Sequence, residues 1–166
     1  METEMNRNKT LQLASAGMIA ALYVVLTWIA NLLGLASGAI QVRLSEALTI
    51  LPVFTVAAVP GLTVGCVLAN LLTGCAAWDV VFGSLATLIG AVGTRLLKDK
   101  PLLAWIPPVM SNAAIVPIIL IKVYGVPDAW WYLVLTVGAG EIIACGILGL
   151  LLWRSLKNIP QIRNMK

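Results

Sequence analysis

The stretch LQLASAGMIAALYVVLTWIANLLGL, residues 11–35, has the length and the apolar character of a membrane-spanning helix. It contains no charged side chain over 25 consecutive residues. An α-helix of roughly 20 apolar residues crosses the hydrocarbon core of a bilayer. The apolar core of a secretory signal peptide is shorter, about 7 to 15 residues. Although Arg7 and Lys9 precede the run as they would in a signal peptide, we therefore expect an uncleaved membrane-spanning helix.

The composition of the whole chain agrees with this expectation. Of its 166 residues, 60% are hydrophobic and 11% are charged, and the mean hydropathy is +0.97. Soluble domains have about 25% charged residues. The net charge of +4 comes from basic residues that flank apolar runs, which is typical of membrane orientation. We predict a protein embedded in the lipid bilayer, without a nucleic-acid partner.

Further apolar runs follow the first and predict an all-α membrane protein with six transmembrane helices. The predicted spans are residues 9–34, 45–60, 62–74, 79–97, 102–123 and 130–153. The dipeptide Pro60-Gly61 predicts a tight turn. Pro107, Pro108 and Pro117 predict kinks in the fifth helix. The second and third runs are barely long enough to cross, so we expect a tilted or broken helix there.

The basic residues predict the orientation of this bundle. Two of them, Arg43 and Lys122, lie on one side of the predicted spans. The other nine lie on the side of the termini: Arg7, Lys9, Arg95, Lys98, Lys100, Arg154, Lys157, Arg163 and Lys166. The positive-inside rule therefore places both termini in the cytoplasm. We predict a multi-pass protein of the cell membrane with tails at 1–10 and 154–166 and a transmembrane domain at 11–153.

Five polar residues within the predicted spans are candidates for a functional site. An ionisable group in a membrane helix costs on the order of 2.5–3.5 kcal/mol on insertion scales, so each one needs a partner or a function. In the predicted topology all five lie at the centre or in the outer half of the membrane. We interpret them as the lining of a binding pocket that opens outward: Glu46, Asn70, Asp79, Asn112 and Glu141.

Structural roles compete with this interpretation. Asp79 could cap its own helix, and Asn112 could bond a backbone carbonyl freed by a proline. Glu46 could pair with Arg43, although such a surface pair contributes less than about 1 kcal/mol. Glu141 is surrounded by small residues with no basic residue at its depth. It is therefore either protonated or bound to a cation from outside the chain.

Arg43 and Trp78 complete the predicted site. Arg43 ends the small-residue loop LGLASGAIQVR, residues 33–43, which we interpret as a lid. Trp78 could stack on a flat ligand, with an interfacial aromatic anchor as the equal alternative. The chain has no histidine and no C-x-x-C pair, so we expect no metal site and no cofactor. We interpret the cysteines as small packing residues: Cys66, Cys75 and Cys145.

Small residues recur at helical spacing on the first helix, at Ala16, Gly17 and Ala20. Such a face lets another helix approach closely in lipid. Packing within the chain and docking of another subunit are equal alternatives for it. The sequence has no phosphate-binding loop and no catalytic triad or zinc-protease motif. We predict that the chain is not an enzyme. If it takes part in transport driven by ATP hydrolysis, we expect the hydrolysis to take place on separate subunits.

Five strings together resemble the QueT family of queuosine-precursor transporters. They are GAIQVRLSEALTILP (38–52), VPGLTVGCVLAN (59–70), WDVVFGSLATLIGA (78–91), PPVMSNAAIV (107–116) and VGAGEIIACGILG (137–149). The family comprises substrate-binding S components of energy-coupling-factor (ECF) transporters. The resemblance implies a six-helix bundle that captures a 7-deazaguanine, such as 7-aminomethyl-7-deazaguanine, from outside.

The resemblance also implies partners and a mode of action. An S component docks on a membrane scaffold subunit that carries two cytoplasmic ATPase subunits, and it tilts in the bilayer to release its cargo inward. The scaffold contacts a small-residue face of the first helix. By this resemblance, Ala16, Gly17 and Ala20 are the expected docking residues.

The chemistry of a 7-deazaguanine suits the predicted pocket. Its ring edge offers an N–H and an amino group that a carboxylate accepts bidentately, and its exocyclic amine is cationic. The expected carboxylates are Glu46 and Glu141, with Asp79 in reserve for the ammonium. Asn70 and Asn112 are expected to bond the rest of the ring edge. Which acid meets the amine stays open from the sequence.

Other functions remain as alternatives. One is an S component for a different vitamin, thiamine-like or flavin-like, although carboxylates favour a cationic or guanidine-like cargo, which riboflavin is not. Another is a membrane bundle subunit without cargo, for which replacement of Glu141 by Gln would be silent. An intramembrane enzyme is disfavoured because no histidine is present to act as a base.

Overall fold

The computed structural model describes residues 2–35 and 40–160, with side chains from Arg7 onward. All regular structure in these ranges is helical, and no strand occurs in them. The helices are α1 (Glu2–Leu32), a 3₁₀ segment (Leu44–Val53), α2 (Ala58–Leu72), α3 (Ala77–Leu96), α4 (Ile106–Lys122), α5 (Trp130–Glu141), a π segment (Ile142–Leu148) and α6 (Gly149–Leu156). The all-α prediction is confirmed. Helix α1 also includes residues 2–10, which the sequence predicted as a tail.

Three helical stretches are long and apolar enough to cross a membrane. They are Arg7–Leu32, Ala77–Leu96 and Trp130–Leu156, the last of which joins α5, the π segment and α6. Three apolar helices are shorter: Leu44–Val53, Ala58–Leu72 and Ile106–Lys122. Many large apolar side chains are exposed on the outside of the helices, as expected for contact with lipid. The chain is a multi-pass membrane protein, and the count of six spans stays a prediction.

The second predicted span is short and broken. Residues 44–53 form a 3₁₀ helix, which rises about 2 Å per residue instead of the 1.5 Å of an α-helix. Ten residues therefore extend about 20 Å, further than an α-helix of the same length. The chain then turns at residues 54–57 before α2 begins. This matches the broken helix expected from the length of the apolar run.

The tight turn predicted at Pro60-Gly61 is wrong, because both residues lie in the first turn of α2. A proline is tolerated there because its missing N–H would have no partner inside the helix. Gly61 serves close packing: a Cβ at this position would lie 2.7 Å from the Ala16 carbonyl oxygen. One turn later, a Cβ on Gly65 would lie 2.8 Å from the Tyr23 Cβ. Small residues thus bring α2 against α1.

Two of the three prolines in the fifth predicted helix do not lie where a proline would kink it. Because α4 begins at Ile106, Pro107 and Pro108 lie in its first turn, where proline does not interrupt helical hydrogen bonds. Pro117 alone lies inside the helix. Gly90 of α3 faces this first turn, and a Cβ there would lie 2.7 Å from the Pro108 Cα. The two prolines therefore form a packing surface for α3.

Candidate functional site

A cavity of about 370 Å³ lies at one end of the bundle. Helices α1, α2 and α4 end there, and the 3₁₀ segment and α3 begin there. Small-molecule sites have volumes of about 300–1,000 Å³, so the cavity has the size of a small-molecule site. Its polar lining includes Asn31, Gln41, Arg43, Asn70, Asp79 and Tyr124. Three of these, Arg43, Asn70 and Asp79, belong to the site predicted from the sequence.

The other predicted polar residues form a separate buried cluster. Glu46, Asn112 and Glu141 are 1%, 4% and 8% exposed. The Asn112 side chain lies beside both carboxyl groups. The Cys145 thiol donates a hydrogen bond to Glu141 Oε2 at 3.2 Å. We name Glu46, Asn112, Glu141 and Cys145 the carboxyl cluster.

Glu46 is bound from a neighbouring helix. The Tyr23 hydroxyl of α1 donates a hydrogen bond to Glu46 Oε1. The second oxygen, Oε2, is buried and has no hydrogen-bond partner in the described part of the chain. Within residues 7–35 and 40–160, no salt bridge joins Glu46 to Arg43. One oxygen of the cluster is therefore without a hydrogen bond from any described residue, although the Asn112 side chain lies beside the same carboxyl group.

A short series of contacts connects the cavity wall to the carboxyl cluster. Asn70, in the cavity wall, donates to the Cys66 Sγ at 3.7 Å. Cys66 lies beside Tyr23, which in turn donates to Glu46. Cys66 and Tyr23 thus connect the two groups of predicted residues.

Asp79 does not cap its own helix, and Tyr124 holds its carboxylate instead. No side-chain bond caps the N-terminus of α3. The Tyr124 hydroxyl donates to Asp79 Oδ2 at 3.0 Å and accepts the Ala76 N–H at 3.1 Å. Partial burial raises the pKa of Tyr124 to about 12, and the bond to Asp79 adds to the rise. The phenol therefore keeps its proton at neutral pH.

Asn112 and Trp78 each had a structural alternative. The carbonyl that Pro108 leaves without an N–H partner is that of Ala104, and it accepts the Thr94 hydroxyl at 2.7 Å. Asn112 lies beside the carboxyl groups instead. Trp78 is 62% exposed and stacks on Phe82, with ring centroids 5.8 Å apart. It lies on the outer surface and is not among the described lining of the cavity. This position favours the membrane-anchor alternative for Trp78.

The predicted docking residues line a groove of about 580 Å³ between α1 and the start of α2. Ala20 is 6% exposed and packs against Gly65. Ala16 is half-buried, with its carbonyl against Gly61. A Cβ on Gly17 would meet no atom within 4 Å. Internal packing thus accounts for Ala20, and Gly17 is open to a partner.

The predicted lid is described only in part, because residues 36–39 lie outside the described ranges. On its two sides, the Val42 N–H donates to the Leu35 carbonyl at 2.9 Å. The backbone of Gln41 lies so close to Gly140 of α5 that a Cβ on Gly140 would collide with the Gln41 carbonyl. The end of the loop therefore rests on α5, one residue before Glu141.

The carboxyl cluster is also where a cation could be held. Donor atoms of Glu46, Glu141 and Cys145 lie within 4.8 Å of one another. The carboxylate oxygens would also accept hydrogen bonds from an ammonium ion or from the N–H groups of a heterocycle. The expected absence of a metal stays a prediction.

Three residues of this region were not identified from the sequence. Cys145 was interpreted as packing, although its spacing of four from Glu141 places both on one helix face. Tyr23 and Tyr124 gave no signal, because their partners lie on other helices. Only the packed bundle brings these hydroxyl groups to the acids.

Comparison with known proteins gives a consistent result. A family model described as QueT transporter matches residues 13–158. The chain is similar to the "Queuosine precursor transporter QueT" of Lactococcus lactis subsp. cremoris (strain MG1363), with 36% identity over 97 residues. That match spans 58% of this chain and 56% of the relative, little more than half its length. No solved structure matches the chain.

Proposed function

The chain belongs to the QueT transporter family, and we propose that it is the S component of an ECF-type uptake transporter that binds a 7-deazaguanine from outside. The cargo we propose is a queuosine precursor, 7-aminomethyl-7-deazaguanine or a close relative. The main support is that side-chain contacts connect a polar cavity of ligand size to a pair of buried carboxyl groups. A transport role follows from the family.

The carboxyl cluster provides acceptors for the ring edge of such a cargo. Glu46 has a buried oxygen without a partner in the described structure, and Asn112 lies beside both Glu46 and Glu141. A carboxylate accepts the N–H and amino donors of a guanine-like edge in a short, charge-assisted pair. In the cavity wall, Arg43 and Asn70 are donors suited to the ring carbonyl.

Uptake requires the cavity to face outward. Three of the nine basic residues expected in the cytoplasm lie at the helix ends opposite the cavity: Arg7, Lys9 and Arg95. We therefore propose that both termini are cytoplasmic. The groove beside Gly17 is then the docking surface for the scaffold subunit, whose two ATPase partners hydrolyse ATP.

A thiamine-like cargo, which is also cationic, is the second candidate, and Asp79 in the cavity wall favours it over a flavin. A bundle subunit without cargo remains the alternative from another class. Thermal-shift measurements with deazaguanines, thiamine and riboflavin on the purified protein separate these possibilities. Stabilisation by a vitamin but by no deazaguanine would replace the proposed cargo.

The decisive experiment is calorimetric titration of the purified protein with 7-aminomethyl-7-deazaguanine. We expect Glu141→Gln to weaken binding by about 10- to 100-fold, because a hydrogen bond to a charged group contributes about 1.5–3 kcal/mol. Asp99→Asn is the matched control, because Asp99 is exposed after α3 at the opposite end of the bundle. The absence of binding to the wild type, or equal binding by Glu141→Gln, would contradict the proposal.

A further inference from the structure

Asp79 is a carboxylate presented to the cavity in a fixed orientation. Its side chain is 7% exposed and lines the cavity. Oδ2 accepts the Tyr124 hydroxyl at 3.0 Å. Gly83 leaves the space on the other side, since a Cβ there would lie 3.1 Å from Oδ1. Among the described residues, none donates a hydrogen bond to Oδ1.

The hydrogen bonds of Tyr124 determine which oxygen of Asp79 is free to accept another donor. A phenol has one proton to donate, and its oxygen accepts. The oxygen of Tyr124 accepts the Ala76 N–H, and its proton points to Asp79. Asp79 Oδ2 is thus an acceptor in this arrangement, and Oδ1 remains available to a donor in the cavity.

No basic side chain in the described structure is paired with Asp79 alone. Arg43 is the cation among the described lining residues, and no salt bridge joins it to Asp79 in the described structure. Arg43 also faces Glu46, with which it interacts electrostatically. Its positive charge is therefore shared between the two acids. Lys122, at the end of α4, lies in an outer groove beside Trp78 and is not among the described lining of the cavity.

These observations assign different parts of the cargo to different acids. The ring edge of a 7-deazaguanine is uncharged, and its donors suit the carboxyl cluster. The exocyclic ammonium is a compact cation with three donors, and it suits a partly desolvated carboxylate with a free oxygen. Aminomethyl and nitrile forms of the cargo differ only at this exocyclic group.

We propose that Asp79 is the receptor for the exocyclic ammonium of the cargo, and that Tyr124 is the positioning residue that orients it. The site therefore selects the aminomethyl form over the nitrile form. This inference rests on the proposed function and adds to it the group that determines specificity.

The test is calorimetric titration of the full-length protein with 7-aminomethyl-7-deazaguanine and with 7-cyano-7-deazaguanine. We expect the wild type to bind the amine at least about 10-fold more tightly than the nitrile, because a charge-assisted hydrogen bond is lost with the nitrile. Asp79→Asn should weaken amine binding by about 10- to 100-fold and nitrile binding far less. Tyr124→Phe should lower the amine preference in the same direction by a smaller factor, about 3- to 10-fold.

The two ligands also control for folding and separate this inference from its premise. A variant that misfolds loses both ligands, so retained nitrile binding shows that the site is intact. If Asp79→Asn lost both equally, Tyr124→Phe would decide, because it keeps the carboxylate: an unchanged amine preference would overturn the assignment. Equal affinity of the wild type for both ligands would overturn it too, with the proposed function intact. If the wild type bound neither ligand, the proposed function itself would fail.

Discussion

The carboxyl group of Glu46 is held by Tyr23, a residue 23 positions earlier in the chain. The sequence identified Glu46 because a carboxyl group in an apolar run is expensive. It did not identify the donor, because hydrogen bonds between helices follow from packing and not from spacing. Cys145 could have been identified from the sequence, since it lies one helical turn from Glu141. At the residue scale, the acids were predictable and their partners on other helices were not.

Replacement of Tyr23 tests how much that bond stabilises the bundle. Tyr23→Phe leaves Glu46 with two buried oxygens that lack a hydroxyl donor. We expect the free energy of unfolding to fall by about 1–3 kcal/mol, the cost of an unsatisfied buried group. Thermal unfolding of the purified protein in detergent measures the change.

The control for this variant is Tyr132→Phe. Tyr132 is 38% exposed, and the structure gives its ring an edge contact with Trp131. Removal of its hydroxyl should leave the melting temperature unchanged. Equal melting temperatures for the Tyr23 and Tyr132 variants would show that the bond to Glu46 contributes nothing measurable.

At the scale of helices, hydrophobic runs predicted the long elements well. The structure places α3 at Ala77–Leu96 and the last helical stretch at Trp130–Leu156, close to the predicted 79–97 and 130–153. The 3₁₀ and π segments were not predicted, because both have an apolar composition like that of an α-helix. The π segment begins directly after Glu141, and π-helical turns occur frequently at functional sites.

The contact between the loop end and α5 depends on one glycine. A Cβ on Gly140 would collide with the Gln41 carbonyl, so Gly140→Ala must displace the segment that carries Arg43. We expect a loss of stability of about 1–3 kcal/mol, typical of overpacking, together with weaker binding of 7-aminomethyl-7-deazaguanine. Thermal unfolding and calorimetric titration measure the two effects.

Gly138→Ala is the matched control on the same helix. A Cβ on Gly138 would meet its nearest neighbour, the Ala113 Cβ, at 4.0 Å, an ordinary contact. Alanine is also the better helix former by about 0.5–1 kcal/mol, so this variant should be as stable as the wild type or more so. If both variants behaved alike, the approach of Gln41 to Gly140 would have no role.

At the scale of the whole molecule, the site exists because helix ends converge. The sequence placed its polar residues toward one side of the membrane, and the structure brings Arg43, Asn70 and Asp79 together around a cavity at one end. The division between this cavity and the carboxyl cluster was not predictable. It depends on how Tyr23 and Cys66 pack between them, and no pattern along the chain encodes that arrangement.

The orientation of the whole molecule can be tested with its own cysteines. Cys75 is half-buried and lines the cavity, whereas Cys66 and Cys145 are each 1% exposed. If the cavity opens outward, a membrane-impermeant maleimide should label Cys75 in intact cells, and Cys75→Ser should abolish the labelling. In the Cys75→Ser background, Lys157→Cys after α6 should react only once the membrane is permeabilised, because the positive-inside rule places it in the cytoplasm. Labelling of Cys75 only after permeabilisation would place the cavity on the cytoplasmic side, where it could not capture a cargo for uptake.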